Sequence, residues 1–231
     1  MKHLSAILAT ALMLTSGAWA APEEAASAAP EGYALVFEDD FGKGLDRWEF
    51  TDPKAWKIVE EEGNSVLALV RPSRYEPSVR SPKSIAWIKG LDVGDFVLEV
   101  DAKQTGREYG HRDLCFFFCK QDESHFYYVH LATAADDYAN SVFLVNGAPR
   151  VSIAKERTSG TDWGSNVWRK IRIRRTVADG HIEVFFDDMD TPVMIAEDTT
   201  FTSGPIGLGS FDDIGRFDNL RIWARPAKPQ Q

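Results

Sequence analysis

Between Gly110 and Arg150 the chain collects the side chains of acid–base and sugar chemistry: His111, Asp113, Tyr128, His130, Asn146 and Arg150. His and Tyr exchange protons near neutral pH, Asp orients them, and Arg and Asn hold anionic or hydroxyl oxygens. Spacing matters as much as type, because a strand sends successive side chains to opposite faces. In residues 111–118 the even positions Arg112, Leu114, Phe116 and Phe118 are mostly large and apolar, which leaves His111, Asp113, Cys115 and Phe117 on the other face. In residues 126–131 the better core set is Tyr127, Val129 and Leu131, leaving Phe126, Tyr128 and His130. The polar run 120–124 joins the two segments as a hairpin. His111, Asp113, Tyr128 and His130 are therefore expected on one sheet face as acid–base or metal-binding groups. A third segment, 140–146, is expected to turn Phe143 and Val145 inward and Leu144 and Asn146 outward. Arg112, at the core edge, Asn146 and Arg150 are candidate substrate anchors. Asp137 and Asn140 sit in a loop where they could bind sugar hydroxyls or a second metal, or cap a turn, and Trp163 could stack on a sugar ring. The bland alternative is that these polar groups pair with one another across strands.

The elements that must position this set are short. Strand-like pieces of alternating or β-branched residues, separated by turn signals, run from Tyr33 to Trp223, and no sustained helical period interrupts them. A dozen or so such strands predict an all-β sandwich in a single domain, 33–224. Trp56, Trp168 and Trp223 are expected in the core, and the alternating cations of 170–175 on a solvated outer face.

The rest of the chain bounds the setting. Residues 1–20 have a basic start, an apolar run and a small-residue end, the pattern of a secretory signal peptide, so the domain is expected outside the cytoplasm. Residues 21–32 read as a disordered linker and 225–231 as a loose tail. With 26 basic and 35 acidic residues the net charge is −9, which argues against nucleic acid and anionic membrane surfaces as partners. Cys115 and Cys119 would lie ~13 Å apart along an extended strand, too far for a disulfide.

Two further stretches carry a resemblance. Phe37-Glu38-Asp39-Asp40-Phe41 with Leu45, Trp48 and Trp56-Lys57-Ile58 resembles the start of concanavalin A-like (laminin G-like) jelly-roll domains. Residues 204–210 with Phe217-Asp218-Asn219-Leu220-Arg221-Ile222 are similar to their last two strands. The order of parts also resembles secreted domains of the 3-keto-disaccharide hydrolase type. The resemblance implies a concanavalin A-like sandwich of two antiparallel sheets, an oligo- or polysaccharide partner on the concave face, no organic cofactor, and a structural Ca²⁺ for which Glu38, Asp40 and Asp218 match the ligand positions. The competing reading of Asp39-Asp40 is a turn. Glu99-Val100-Asp101 begins the acidic strand spacing of retaining glucanases with this fold, but Lys103 and Gln104 follow. The Glu–Gln–Asp strand of the keto-disaccharide hydrolases has no counterpart. Lyases of jelly-roll fold instead pair a His or Tyr base with Arg or Asn, the residue types gathered between 110 and 150. A glycan-cleaving enzyme, hydrolase or lyase, is thus set against a non-catalytic glycan-binding domain and a structural surface domain.

Overall fold

The computed structural model describes residues 29–225. The signal-peptide segment 1–20, most of the linker 21–32 and most of the tail 225–231 lie outside the described residues. In chain order the strands are β1 (Ala34–Asp39), β2 (Trp48–Phe50), β3 (Trp56–Glu61), β4 (Asn64–Leu69), β5 (Ser84–Ile88), β6 (Phe96–Gln104), β7 (Asp113–Asp122), β8 (His125–Ala132), β9 (Ser141–Asn146), β10 (Val151–Ser152), β11 (Ala154–Arg157), β12 (Trp168–Thr176), β13 (His181–Phe186), β14 (Met194–Glu197), β15 (Gly207–Ser210) and β16 (Gly215–Ala224). They form two antiparallel sheets. One runs β11-β14-β13-β12-β6-β16-β4-β3 with β1 beside β16, and the other runs β10-β9-β8-β7-β15-β5-β2. This is the jelly-roll sandwich the sequence predicts.

Alternation builds the core. Leu114, Phe116 and Phe118 of β7, Tyr127, Val129 and Leu131 of β8, and Leu208 of β15 meet Leu98, Val100, Ile171, Ile173 and Phe217 of the opposite sheet. Each such side chain contributes about 1.5–3 kcal/mol on burial. The opposite faces of the same strands are not solvated either. Ile85, Trp87, Cys115, Phe117, Phe126, Tyr128, Phe143 and Val145 form a second buried cluster on the outer side of the seven-stranded sheet, with Val79 and Phe211 packed against it. The connection 70–83 crosses that side as a strap, tied down where Lys83 N–H bonds Phe211 O and Arg150 N–H bonds Arg80 O. Gly207 and Gly209 make room for the aromatic layer, since a Cβ would stand 2.9 Å from the Trp87 ring at the first and 1.9 Å from Ser84 O at the second.

Three expectations about faces are corrected. Tyr128 stands opposite Phe143, so Phe143 and Val145 share the outer cluster while Val142 and Leu144 face the sheet-to-sheet core. Trp168 is 36% exposed on the edge of the outer face of β12 rather than in the core. Arg175 is in phase with Ile171 and Ile173, so it points inward, fully buried, its cation over the Tyr127 ring at 4.9 Å.

Candidate functional site

Register brings the functional side chains to one end of the seven-stranded sheet. Asp113 opens β7 opposite Ala132, Cys115 faces His130, and His130 faces Ser141 at the start of β9. The loops 105–112, 133–140 and 211–214 close over this end. Between them lies a cleft of about 180 Å³ lined by Arg80, Tyr109, His111, Asp113, His130 and Arg150, with the Phe211 ring among its walls. That is below the ~300–1,000 Å³ of pockets for drug-sized ligands, a size for one sugar ring rather than several.

Asp113 is the structural hub. Its Oδ1 accepts from Ser210 Oγ at 3.1 Å, and its Oδ2 accepts from Phe211 N at 2.9 Å and Cys115 Sγ at 3.0 Å. Burial alone would raise the Asp113 carboxyl, but His130, the Cys115 thiol and the Phe211 N–H outweigh it and hold it below the usual range. Burial and the Asp113 charge push the Cys115 thiol well up, so it stays protonated and serves as a donor. His130 is anchored from the other side, where Asn140 N–H donates to Nδ1 at 3.3 Å. Accepting that bond puts the ring proton on Nε2, which lies 3.4 Å from Asp113 Oδ2 without a well-aligned partner. His130 is therefore a hydrogen-bond donor, not a base.

The base-competent imidazole is His111. Its Nε2 meets Asp136 Oδ2 at 2.5 Å, which leaves Nδ1 to take a proton. Burial pushes the Asp136 carboxyl up, but the Tyr138 N–H and the His111 ring outweigh it and hold it below its ordinary value. Arg150 faces the cleft 9% exposed. Its Nη2 donates to Tyr138 O, its cation sits 4.3 Å from the Phe211 ring centre, and Nε and Nη1 have no partner. A buried guanidinium with two orphaned donors is a ready receptor for an oxyanion.

Other expected contacts fall away. Tyr128 is buried beneath the cleft, stacked 5.1 Å from Phe143, and its hydroxyl has no partner; burial raises its pKa well above the ordinary value. Asn146 is exposed at the far end of β9 opposite His125, because its parity places it off the site face. Arg112 turns away to donate to Gly164 O. Trp163 is fully buried, donates Nε1–H to Leu131 O and lies edge-on to Phe186, so it cannot stack on a ligand. Asp137 is exposed while its neighbour Asp136 does the pairing. Asn140, at φ +51°, is buried and bonded to Ala132, Thr158 and Thr161, which makes it a positioning residue. Sequence reasoning missed Arg80, Tyr109, Asp136, Asp212 and Asp213. The only signal for the last two was the Asp-Asp pair next to the predicted closing strands.

Among the described residues, ligand atoms of Asp113, Cys115 and His130, and of Asp113, Asp212 and Asp213, lie within 4.8 Å of one another. Asp113 already accepts from three protein donors and Asp213 Oδ2 from Tyr109 Oη and Asp113 N, so both groups are held together by protein hydrogen bonds and need no resident metal. Glu38, Asp40 and Asp218 do not form such a group. Asp40 Oδ1 caps Gly42, and both oxygens of Asp218 are taken by Asn64 and Asn219. The hollow beside Glu38 and Asp40 also holds Lys43, Arg47 and Arg221. The calcium ligand set expected from the fold is not assembled.

Comparison with known proteins fits this picture. Among curated proteins none matches the chain. Among solved structures, carbohydrate binding module CBM66 from Bacillus subtilis is 18% identical with a TM-score of 0.53, over 76% of this chain and 94% of that one. A putative glycosyl hydrolase from Parabacteroides distasonis is 13% identical with a TM-score of 0.53, over 85% and 95%. Domain 4 of AbnA, a GH43 extracellular arabinanase from Geobacillus stearothermophilus, in complex with arabinotriose, is 13% identical with a TM-score of 0.56, over 86% and 96%. At these identities they establish the sandwich fold alone. The family profile described as 3-keto-alpha-glucoside-1,2-lyase-like domain matches residues 34–223. By that match, over most of its length, the chain belongs to the 3-keto-α-glucoside-1,2-lyase-like family and is a carbohydrate-related domain.

Proposed function

We propose that the domain is a lyase that cleaves α-glucosides carrying a ketone at C3. The observation that carries this is one small cleft lined by both His111, which is paired with Asp136 beside the cleft, and the buried Arg150 guanidinium with two unpartnered N–H groups. A C3 ketone makes the C2 hydrogen acidic. His111 Nδ1 removes that proton, and the electron pair moves to the C3 oxygen as an enolate. Arg150, Arg80 and the His130 Nε2–H surround that oxygen. Collapse of the enolate then forms the C1–C2 double bond and expels the C1 oxygen, which takes up a proton. The family description supplies the substrate class, and among the described residues the chain supplies a base and an oxyanion receptor, while the ionised carboxylate at the cleft, Asp113, is tied to Ser210, Phe211 and Cys115 and is not free to serve as the nucleophile or base of a hydrolase. The competing glycan-binding module would need an open aromatic platform, and the aromatic face of this sheet lies under the strap. The same reading has the chain exported and cleaved near Ala20, which N-terminal sequencing of the secreted product checks.

The test incubates the protein with 4-nitrophenyl 3-keto-α-glucoside and with the unoxidised glucoside. Nitrophenol release from the ketone alone, lost in His111→Ala, is expected. Equal cleavage of both, or retardation in a glycan-containing gel with no release, would sink the proposal.

A further inference from the structure

Beside the cleft is a second hollow of about 360 Å³, lined by Pro72, Gly106, Arg107, Asp213 and Ile214 and sharing Tyr109 and Asp212 with the first. The two hollows are thus neighbours across a single ridge. Asp213 forms that ridge from below. Its Oδ2 accepts from Tyr109 Oη at 2.6 Å and from Asp113 N at 3.1 Å, and its own N–H bonds Ser210 Oγ. Asp113 faces one hollow and Asp213 the other, so two neighbouring carboxyl groups look into adjoining chambers. Arg107 stands at the mouth of the second, exposed, its guanidinium 5.1 Å from the Tyr109 ring centre.

We propose that the second hollow is the leaving-group subsite of the lyase, and that Asp213 hands the departing oxygen its proton. This rests on the elimination reading of the first cleft and extends it to the other half of the substrate. A sugar-sized leaving group fills the hollow, with Arg107 and Asp212 available to its hydroxyls. The C1–O bond then spans the Tyr109 ridge. As that bond breaks, the departing oxygen takes the Asp213 carboxyl proton and leaves as a neutral alcohol. Asp213 is left as the carboxylate, and the proton that His111 gained returns to solvent or to Asp213 before the next turnover. Burial and the Asp113 charge push the Asp213 carboxyl up to about 7, so near neutrality about half of the molecules hold the proton there while Asp113 stays ionised. Neighbouring carboxyls driven apart in this way divide into an acid and a permanent charge.

The experiment compares Asp213→Asn and Arg107→Ala with the parent on two C3-oxidised α-glucosides, one with 4-nitrophenol as leaving group and one with glucose. A good leaving group needs little help from an acid and a poor one needs much. Asp213→Asn is expected to lower kcat/KM at least about 100-fold on the disaccharide but less than about 10-fold on the nitrophenyl compound. Arg107→Ala, at an exposed position that leaves folding untouched, is expected to raise KM for the disaccharide severalfold with kcat unchanged. Equal losses on both substrates in Asp213→Asn would remove Asp213 as donor, and an unchanged disaccharide KM in Arg107→Ala would remove the subsite. If Asp213→Asn does not fold, the pH profile of the parent decides: kcat on the disaccharide should fall as pH rises through about 7 while kcat on the nitrophenyl compound does not, and parallel profiles would remove Asp213 as donor. A parent protein inactive on both substrates would overturn the lyase reading itself and this assignment with it.

Discussion

Replacing Asp218 by Asn should flatten the dependence of stability on pH. Asp218 lies on the outer face of the nine-stranded sheet, 5% exposed, with Oδ2 2.5 Å from Asn64 Nδ2 and Oδ1 2.7 Å from Asn219 N. Burial raises its carboxyl from 3.8 to about 6, with Asp101 and Asp40 adding to the rise against those two hydrogen bonds. A folded pKa above the unfolded one means that the folded state holds the extra proton. The stability this contributes is fully present below pH about 4 and is lost as pH rises through about 6. At about 1.36 kcal/mol per pKa unit, the rise from 3.8 to about 6 is worth about 3 kcal/mol at full protonation, of which about 2.5 kcal/mol is lost between pH 4 and pH 8. An Asn at 218 cannot ionise. It keeps one acceptor and loses about 1 kcal/mol where its amide meets that of Asn64. Asp218→Asn should therefore be about 1 kcal/mol less stable than the parent at pH 4 and about 1.5 kcal/mol more stable at pH 8, the latter a gain of roughly 3–6 °C in Tm. Urea unfolding of both proteins across this range measures it. Parallel curves would refute the reasoning. So would calcium raising the parent's Tm at pH 8 but not the variant's, because Asp218 would then be a cation ligand.

Three other outcomes follow from the site. Tyr128→Phe removes a buried hydroxyl that has no partner, so thermal unfolding should show unchanged or higher stability, by up to about 1 kcal/mol, with turnover intact; a loss of activity would restore Tyr128 to the catalytic set. Asp136→Asn leaves the exposed fold alone but frees His111 Nε2, and should lower kcat about 10–100-fold with little change in KM. Cys115 and Cys119 are both fully buried free thiols, so Ellman's reagent should label neither until urea unfolds the chain; rapid labelling of the native protein would contradict the packing.

The sandwich was legible because its strands obey a two-residue alternation that survives in sequence. Phe116 against Phe117, or Val129 against Tyr128, sort cleanly by parity. What alternation does not reveal is that both faces of a strand can be buried. Phe143 and Val145 are as apolar as core residues, yet they lie under the strap, and nothing in their own segment distinguishes the two covers. The site was half legible for the same reason. Asp113 and His130 share a face because the hairpin pairs His130 with Cys115, two residues along the strand from Asp113, and His111 and Arg150 reach the cleft from flanking turns. The residues that decide the roles come from loops, where no period helps. Asn140 supplies the N–H that removes His130 as a base, Asp136 rather than Asp137 pairs with His111, and Asp213 arrives from a loop a hundred residues beyond Asp113.

The strap over the outer face has a further consequence for which carbohydrates can reach the cleft. A sheet whose aromatic surface lay bare would offer a trough in which the middle of a long polymer could rest. Here Trp87, Phe117, Phe126 and Tyr128 are sealed, and Arg80 at the end of the strap stands at the mouth of a cleft sized for one ring. Only the terminus of a chain, or a short molecule, can present itself. On the lyase reading proposed above, this geometry favours trimming from ends over cutting within, and each turnover would begin with an encounter with a free, already oxidised sugar residue.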